Sequence, residues 1–190
     1  MKSKITIFLC IISIIICLVS CGKTYGNTIV DPDWPLYSTG EELVGASTNV
    51  FLGKVTDISF EIIDYETGIA DRSFNLNSNS RMLYTIYSVE VVDNYKGETH
   101  KPVQISVWGG IAGYNEELQY KLLKDSGLSN EYSSIPIIEE RKYDLKSGEN
   151  YIFCTVKMAG EYYLVVNPTQ FAFELNSDMA KNIMEITKAE

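Results

Sequence analysis

The stretch MLYTIYSVEVVDNYKGE, residues 82–98, decides the fold. Apolar and polar side chains alternate along its middle: the apolar ones are Tyr87, Val89 and Val91, and the polar ones are Ser88 and Glu90. Because successive side chains of a strand point to opposite faces, this alternation predicts a strand with one buried face. Tyr-Lys-Gly-Glu at 95–98 is typical of a turn, and KPVQISVW at 101–108 alternates again. The two segments therefore predict an antiparallel hairpin.

Further strand patterns lie on both sides of this hairpin. The run at 49–63 is rich in Val, Ile and Phe and contains Gly53. A glycine inside a strand indicates a bend or bulge, which a small barrel needs where its sheet curves. Towards the C-terminus, the runs at 150–158 and 161–167 predict two more strands, and a short third strand follows.

Helical segments flank the strands. STGEELVGAST, residues 38–48, begins with a capping-box pattern formed by Thr39 and Glu42. In the C-terminal tail, Ser177 is a suitable N-cap. The apolar residues that share one helical face in this tail are Met179, Ile183 and Ile186. With a partly helical insertion at 109–134, these elements predict a mainly β fold: a small antiparallel barrel with a short N-terminal helix and a C-terminal helix.

The N-terminus has the pattern of an export signal. Lys2 and Lys4 are the only charges before residue 23, and the apolar run at 5–19 is too short to span a bilayer comfortably. The run ends in LVSC, whose members are Leu18, Val19, Ser20 and Cys21. This tetrapeptide resembles a bacterial lipobox. The resemblance implies a lipoprotein signal peptide over 1–20, cleavage before Cys21, and acylation of its sulfur with chains such as palmitate.

A lipobox also predicts where the protein lies. Two or three acyl chains on one residue anchor a protein stably to a bilayer. We therefore expect a cell-membrane lipoprotein that contacts the membrane through acylated Cys21 and faces outside the cytoplasm. Residues 21–37 contain Gly, Pro and Asp without a periodic pattern, which predicts a flexible tether. Residues 38–190 then form a single domain.

Charge and cysteine content restrict the partners. The formal net charge is −9, and loss of Lys2 and Lys4 with the signal peptide would change it to −11. Such a chain is repelled by phosphate backbones, so we expect no nucleic-acid partner. Cys154 is the only cysteine after Cys21, so no disulfide within the domain is expected. It lies in the strand-like run YIFCTV and is predicted to be a small buried hydrophobe.

The sequence carries no recognisable catalytic or metal-binding motif. VWGGIAG, residues 107–113, fits neither the dinucleotide-binding nor the P-loop spacing, and predicts a loop with positive φ. His100 is the only histidine, in a predicted turn. We therefore expect no cofactor, no histidine-rich metal site and no enzyme activity, whereas an all-oxygen calcium site stays open.

Aromatic residues are the best candidates for a binding surface. The chain has 13 tyrosines, and those in predicted strands are Tyr84, Tyr87, Tyr151, Tyr162 and Tyr163. Cross-strand packing is the usual role of such residues, but some of them are expected to face outward. Tyr84, Tyr162 and Trp108 are the candidate binding residues, since aromatic side chains suit sugars and protein interfaces. Trp34, between Asp33 and Pro35, either docks on the domain or lies at the membrane interface.

Three turn motifs carry a resemblance to a known family. They are Gly53 in the first strand, Tyr95-Lys96-Gly97 after the second, and Leu145-x-x-Gly148-Glu149-x-Tyr151 at a later strand opening. Over residues 40–170 this order resembles bacterial OB-fold domains related to the netrin-like domain of tissue inhibitors of metalloproteinases. The resemblance implies an OB-like barrel. In the eukaryotic inhibitors an N-terminal cysteine chelates the protease zinc, but an acylated Cys21 without a disulfide partner cannot take that role.

These observations predict a non-catalytic binding module for a protein or glycan partner at the cell envelope. The family resemblance alone suggests an alternative, an inhibitor or immunity-type protein against an envelope hydrolase. An enzyme acting on cell-wall material through carboxylates is a third interpretation, because catalytic pairs of Asp or Glu cannot be located in one sequence.

Overall fold

The computed structural model describes residues 25–30, 33–74, 79–99, 102–130, 133–138, 145–157 and 162–189. Cys21 and the lipobox residues Leu18, Val19 and Ser20 lie outside these described residues, as does His100. Within the described ranges, no helix is both long enough and apolar enough to cross a membrane.

The chain forms nine strands, three α-helices and one 3-10 turn in these ranges. The strands are β1 (Asn27–Val30), β2 (Asn49–Asp64), β3 (Ile69–Ala70), β4 (Arg81–Lys96), β5 (Val103–Trp108), β6 (Ile135–Ile138), β7 (Asn150–Lys157), β8 (Tyr163–Val165) and β9 (Ala172–Glu174). The helices are α1 (Gly40–Ala46), α2 (Glu116–Asp125) and α3 (Asp178–Ala189), and the 3-10 turn is Leu128–Asn130.

Five strands form a partly closed ring. The order β2-β4-β5-β8-β7 returns to β2, because β2 pairs with both β4 and β7. All of these pairings are antiparallel except β5 with β8, which are parallel over two residue pairs. This is the connectivity of an OB-like barrel, so the prediction of a mainly β, small antiparallel barrel with flanking helices is confirmed.

Strand β2 bends at Gly53, as its sequence predicts. The pairing register with β4 shifts between Leu52 and Gly53, which marks a bulge. A Cβ atom at Gly53 would lie 2.3 Å from the Val89 side chain. Only glycine therefore allows β2 to come close enough to β4 while it also pairs with β7.

The barrel interior holds the main core. Tyr87, Val89 and Val91 are buried there, whereas Ser88 is half-buried and Glu90 is exposed, so the predicted alternation of β4 is confirmed. The other fully buried interior side chains include Phe51, Val103, Ile105, Val107 and Phe153. Phe51 and Phe153 stack across the β2–β7 pair, with ring centroids 5.4 Å apart.

Two helices cover one side of the barrel. Thr39 caps α1 in a capping box with Glu42, as predicted. Ser177 Oγ accepts a hydrogen bond from the Ala180 N–H at 3.2 Å, which caps α3.

Ile183 is fully buried, and Met179 and Ile186 pack beside it in a second apolar cluster. Cys154 is fully buried in that cluster, and burial raises the pKa of its thiol to about 12.

A parallel strand pair departs from the sequence interpretation. β1 pairs with β6, with Asn27 opposite Ile135 and Val30 opposite Ile138. The expectation of a flexible tether over 21–37 is therefore wrong for residues 27–30. Each strand has four residues, too few to show an alternation, and their pairing joins segments more than 100 residues apart. The insertion at 109–134 is partly helical, as expected, through α2 and the 3-10 turn.

Candidate functional site

An aromatic pocket lies on the outer face of β4 and β5. Tyr84 is directly opposite Trp108, and Ile86 is opposite Ser106. The cavity over these strands has a volume of about 380 Å³. Its aromatic rings come from Trp34, Tyr65, Tyr84 and Trp108. The rest of its lining consists of Met82, Ser106, Leu164, Val165 and Pro168. We call these residues together the aromatic pocket.

Strand alternation explains the floor of the pocket. Val103, Ile105 and Val107 point into the barrel core, so Ser106 and Trp108 on the same strand must point outward. Tyr84 follows the buried Leu83 and therefore takes the outer face of β4. The outer face is not a solvated one, however, because Ser106 is 0 % exposed and Tyr84 is 7 % exposed.

The N-terminal segment supplies one wall. We define the strap as residues 33–37, which is hydrogen bonded to the loop after β8. Asn167 Nδ2 donates to the Pro35 carbonyl at 2.9 Å. The Tyr37 N–H donates to Gln170 Oε1 at 2.8 Å, and Gln170 Nε2 donates to the Tyr37 carbonyl at 2.7 Å. These bonds hold the strap across the domain, so that Trp34 docks at the pocket rather than standing clear of the domain.

Two polar atoms of the pocket residues have no partner. Among the described residues, Ser106 Oγ and Trp108 Nε1 are buried and make no hydrogen bond. A buried polar group without a partner costs free energy, and most such groups in native proteins are paired. Both atoms are closed off from solvent, so a ligand in the cavity would contact ring faces and apolar side chains rather than these two atoms.

The described lining of the pocket carries no formal charge. Among the described residues that line it there is no Asp, Glu, Lys, Arg or His. Burial, followed by the neighbouring Tyr65 and Asp64, raises the pKa of the Tyr84 hydroxyl to about 12. Tyr84 is therefore protonated throughout the physiological pH range. The site suits a neutral, largely apolar group that makes few hydrogen bonds.

The structure brings the three predicted binding residues into one neighbourhood, with different roles. Tyr84 and Trp108 line the pocket, whereas Tyr162 does not line it and is 2 % exposed. The Tyr162 hydroxyl donates to the Glu61 carboxylate and accepts a hydrogen bond from Arg72 Nη2 at 3.0 Å. Burial and the Glu61 carboxylate raise its pKa. Tyr162 is thus a packing residue beside Tyr84 and Ile86 rather than an accessible surface residue.

Tyr84 faces outward from the barrel, as expected for some strand tyrosines, but it is not exposed to solvent. Tyr84, Tyr87, Tyr151, Tyr162 and Tyr163 are all buried, with no exposure above 7 %. The physical reason is that the outer faces of β4 and β5 are themselves covered. The second apolar layer, formed by Tyr84, Ile86 and Tyr162 with partly buried Met82 and Trp108, lies on the outer side of the sheet.

Several pocket residues escaped the sequence interpretation. The sequence allows two locations for Trp34, and Tyr65, Ser106 and Pro168 are not among the predicted binding residues. Their segments lie far apart in the sequence and meet only through the barrel and the strap. One signal was present in the sequence. In the strand at 103–108 one set of alternate positions is wholly aliphatic, and Ser106 and Trp108 belong to the other set.

The other candidate chemistry has structural explanations. Gly109 and Gly113 have positive φ, as predicted for the glycine-rich turn. The Gly109 N–H donates to the Leu83 carbonyl and the Gly110 N–H donates to the Pro136 carbonyl, so neither amide is available to a phosphate. In the part of the chain that the structure describes, no three Asp, Glu, His or Cys side chains are grouped closely enough to hold a metal ion.

No family model matches the chain, and a search of the curated proteins finds no match either. We therefore base the functional proposal on the chemistry of the aromatic pocket.

Proposed function

We propose that the protein is a lipid-anchored, non-catalytic binding module of the cell envelope, and that its aromatic pocket holds part of a protein or glycan partner. The observation that carries the proposal is the cavity of about 380 Å³ on the outer face of β4 and β5, which four aromatic rings line. Two of these rings are open to solvent, since Trp34 is 38 % exposed and Tyr65 is 50 % exposed, so a partner can pack against them.

The position of the pocket on the barrel supports binding. β4 and β5 are the second and third strands of the five-stranded ring in chain order. OB-folds commonly bind their ligands on the face formed by those two strands. A cavity of about 380 Å³ is within the range of ligand pockets, and four aromatic rings supply contact area at low entropy cost.

The same lining supports a role without catalysis. General acid–base or nucleophilic catalysis needs a side chain that exchanges a proton or attacks near neutral pH. The described residues that line the pocket include no carboxylate, imidazole, amine or thiol, and burial raises the pKa of the Tyr84 hydroxyl to about 12. Its side chains supply shape, ring faces and hydrogen-bond donors, which are the means of recognition.

The lipobox supports the location. Leu18, Val19 and Ser20 precede Cys21, and an acylated Cys21 would retain the protein on the membrane. Only 12 residues separate Cys21 from Trp34 in the strap. A partner bound in the pocket would therefore be held close to the bilayer.

Photo-crosslinking in intact cells tests this proposal. A photoreactive amino acid replaces Tyr65, which is 50 % exposed at the pocket, or Tyr114, which is 43 % exposed outside it. The matched exposure makes Tyr114 a control for random collision. We expect a discrete adduct from position 65 that position 114 does not form. Identical adducts from both positions, or none from position 65, would contradict the proposal.

A further inference from the structure

We propose that β1 pairs with β1 of a second copy of this chain, in an antiparallel arrangement that joins two β1–β6 pairs into one sheet. This inference goes beyond the proposed function, because it concerns the edge of the small sheet and not the aromatic pocket. It gives the chain a self-interaction surface.

The first step concerns the backbone groups of β1. The Ile135 N–H donates to the Gly26 carbonyl at 2.9 Å, at the start of the parallel pairing with β6. In a parallel pair, alternate residues of a strand direct their N–H and C=O groups to the same neighbour. Thr28 therefore faces β6, as Gly26 does, whereas Asn27 and Ile29 direct their backbone groups away from it. Within the described ranges, β6 is the only strand that pairs with β1.

The second step compares the two edges of this small sheet. The outer edge of β6 is closed, because Pro136 has no N–H and its carbonyl accepts a hydrogen bond from the Gly110 N–H at 2.8 Å. Proteins protect edge strands with proline or charged side chains. β1 reads Asn-Thr-Ile-Val, without either, and its first three residues are exposed. β1 is thus the edge that is open to a further strand.

The third step concerns the size of the sheet. β1 and β6 form a two-stranded sheet that is separate from the barrel sheet. A two-stranded pair is marginally stable by itself, and further strands add hydrogen bonds and cross-strand contacts. Pairing two copies gives the order β6-β1-β1-β6, in which the outward backbone groups of both β1 strands have partners.

Symmetry sets the direction and register of this pairing. Two copies that meet through the same edge form a closed dimer about a two-fold axis. In a parallel pair an outward residue lies opposite an inward one, which a two-fold axis does not allow, whereas in an antiparallel pair outward residues lie opposite each other. The register that uses both outward residues sets Asn27 opposite Ile29 of the second copy. Thr28 then lies opposite Thr28 of the second copy, on the axis.

Charge and anchoring favour a second copy as the partner. β1 has no charge, but Lys23 precedes it and Asp31 and Asp33 follow it. An antiparallel arrangement brings the basic flank of each copy beside the acidic flank of the other. Five residues lie between Cys21 and Asn27, so acylation of Cys21 would hold β1 within about 20 Å of the bilayer. Confinement of both copies to one surface raises their effective concentration, which a short interface needs.

Cysteine crosslinking of the full-length chain tests the proposal in a freshly broken cell suspension, which keeps membranes and soluble proteins together. Thr28→Cys places two thiols on the axis, where Cα atoms of an antiparallel pair without hydrogen bonds are about 4.5 Å apart, within disulfide range. Cys154 is fully buried and does not compete. Leu36→Cys is the control for random collision, since Leu36 is 71 % exposed and lies eight residues from Thr28. Copper phenanthroline is the oxidant, and non-reducing electrophoresis measures the dimer.

We expect Thr28→Cys to form the disulfide-linked dimer at least about 10-fold faster than Leu36→Cys, because pairing holds its thiols at high effective concentration. Adding Ile29→Pro should reduce the rate to that of the control. This substitution removes an outward N–H but leaves the groups that face β6, so the monomer should stay folded by circular dichroism.

Two results would overturn the self-pairing. The first is a dimer that forms no faster from Thr28→Cys than from Leu36→Cys, or that forms equally fast with Ile29→Pro. The second comes from a photoreactive amino acid at position 28 in intact cells. An adduct with a different protein, without an adduct between two copies of this chain, would show that the open edge of β1 receives a strand of another partner.

Discussion

At the residue scale, the most informative side chains are two buried hydroxyls. Ser106 Oγ and Thr155 Oγ1 are both in fully buried residues, and neither has a hydrogen-bond partner in the described part of the chain. They differ in position, since Ser106 lines the aromatic pocket and Thr155 does not. A comparison of the two measures the cost of an unpaired hydroxyl at two independent positions.

We expect both Ser106→Ala and Thr155→Val to raise the free energy of unfolding by about 1 kcal/mol, because each removes a buried polar group that lacks a partner. Urea unfolding of the two variants and the native chain measures this. Destabilisation by both variants would mean that the hydroxyls are paired with ordered water.

Tyr84 gives a pH dependence with a defined sign. Its pKa is raised from 10.0 to about 12, chiefly by burial. The folded state therefore holds the phenol proton more tightly than the unfolded state, and the stability that it contributes is complete below pH 10 and lost as the pH rises through 12. The loss should be about 1 kcal/mol by pH 11.

The comparison of the native chain with Tyr84→Phe isolates this contribution, since burial also raises the pKa of Tyr95, Tyr162 and Cys154. Urea unfolding at pH 8, 10 and 11 provides the measurement. The native chain should lose more stability than Tyr84→Phe between pH 10 and 11. An equal loss in both proteins would show that the Tyr84 hydroxyl titrates at its ordinary pKa in the folded state.

At the scale of the elements, β2 depends on one glycine. Gly53→Ala would place a Cβ atom 2.3 Å from Val89 and 3.2 Å from Phe51, inside the barrel core. We expect it to lower the free energy of unfolding by about 1–3 kcal/mol through overpacking. Gly45→Ala in α1 is the matched control, since no atom lies within 4 Å of its added Cβ.

Gly45→Ala should raise stability by about 0.5–1 kcal/mol, because alanine favours the helix and glycine does not. Thermal unfolding of both variants shows the expected opposite signs. If Gly53→Ala were as stable as the native chain, the bend of β2 would not require the close approach to β4 that the barrel geometry implies.

The elements also show how far sequence patterns reach. β4 and β5 follow from alternation, and α1 and α3 follow from Thr39 and Ser177, because these signals are local. β1 and β6 do not follow, since four residues are too few for a period and their parallel pairing is non-local. The outer layer on β4 does not follow from the sequence for a related reason. Tyr84 and Ile86 occupy the alternate positions of the strand, which a pattern alone would assign to solvent, and only the fold places Tyr162 and Trp108 beside them.

At the scale of the whole molecule, the proposed anchor predicts where the protein is found. Cys21→Ala removes the acylated sulfur, so the protein should move from the membrane fraction to the soluble one in cell fractionation. Ser20→Ala, which keeps a small residue in the lipobox, should leave it membrane-bound. Retention of Cys21→Ala on the membrane would contradict the lipid anchor.

The pocket is a property of the assembled chain. Tyr84 and Trp108 could be singled out from the sequence because they lie in clear strands, and the structure places them opposite each other. Trp34 joins them from the strap, which Asn167 and Gln170 hold in place by hydrogen bonds. Such a site cannot be found from strand patterns, because no local signal tells which loop residues hold a distant segment.

The central claim, that the aromatic pocket binds a partner, is tested most directly by filling it. Leu164→Trp enlarges a half-buried side chain that lines the cavity and adds no charge. The measurement is the yield of the crosslinked adduct from the photoreactive residue at position 65 in intact cells, with Thr155→Val as the control. We predict that Leu164→Trp abolishes the adduct while Thr155→Val preserves it. An adduct of unchanged identity and yield in the folded Leu164→Trp protein would contradict the claim.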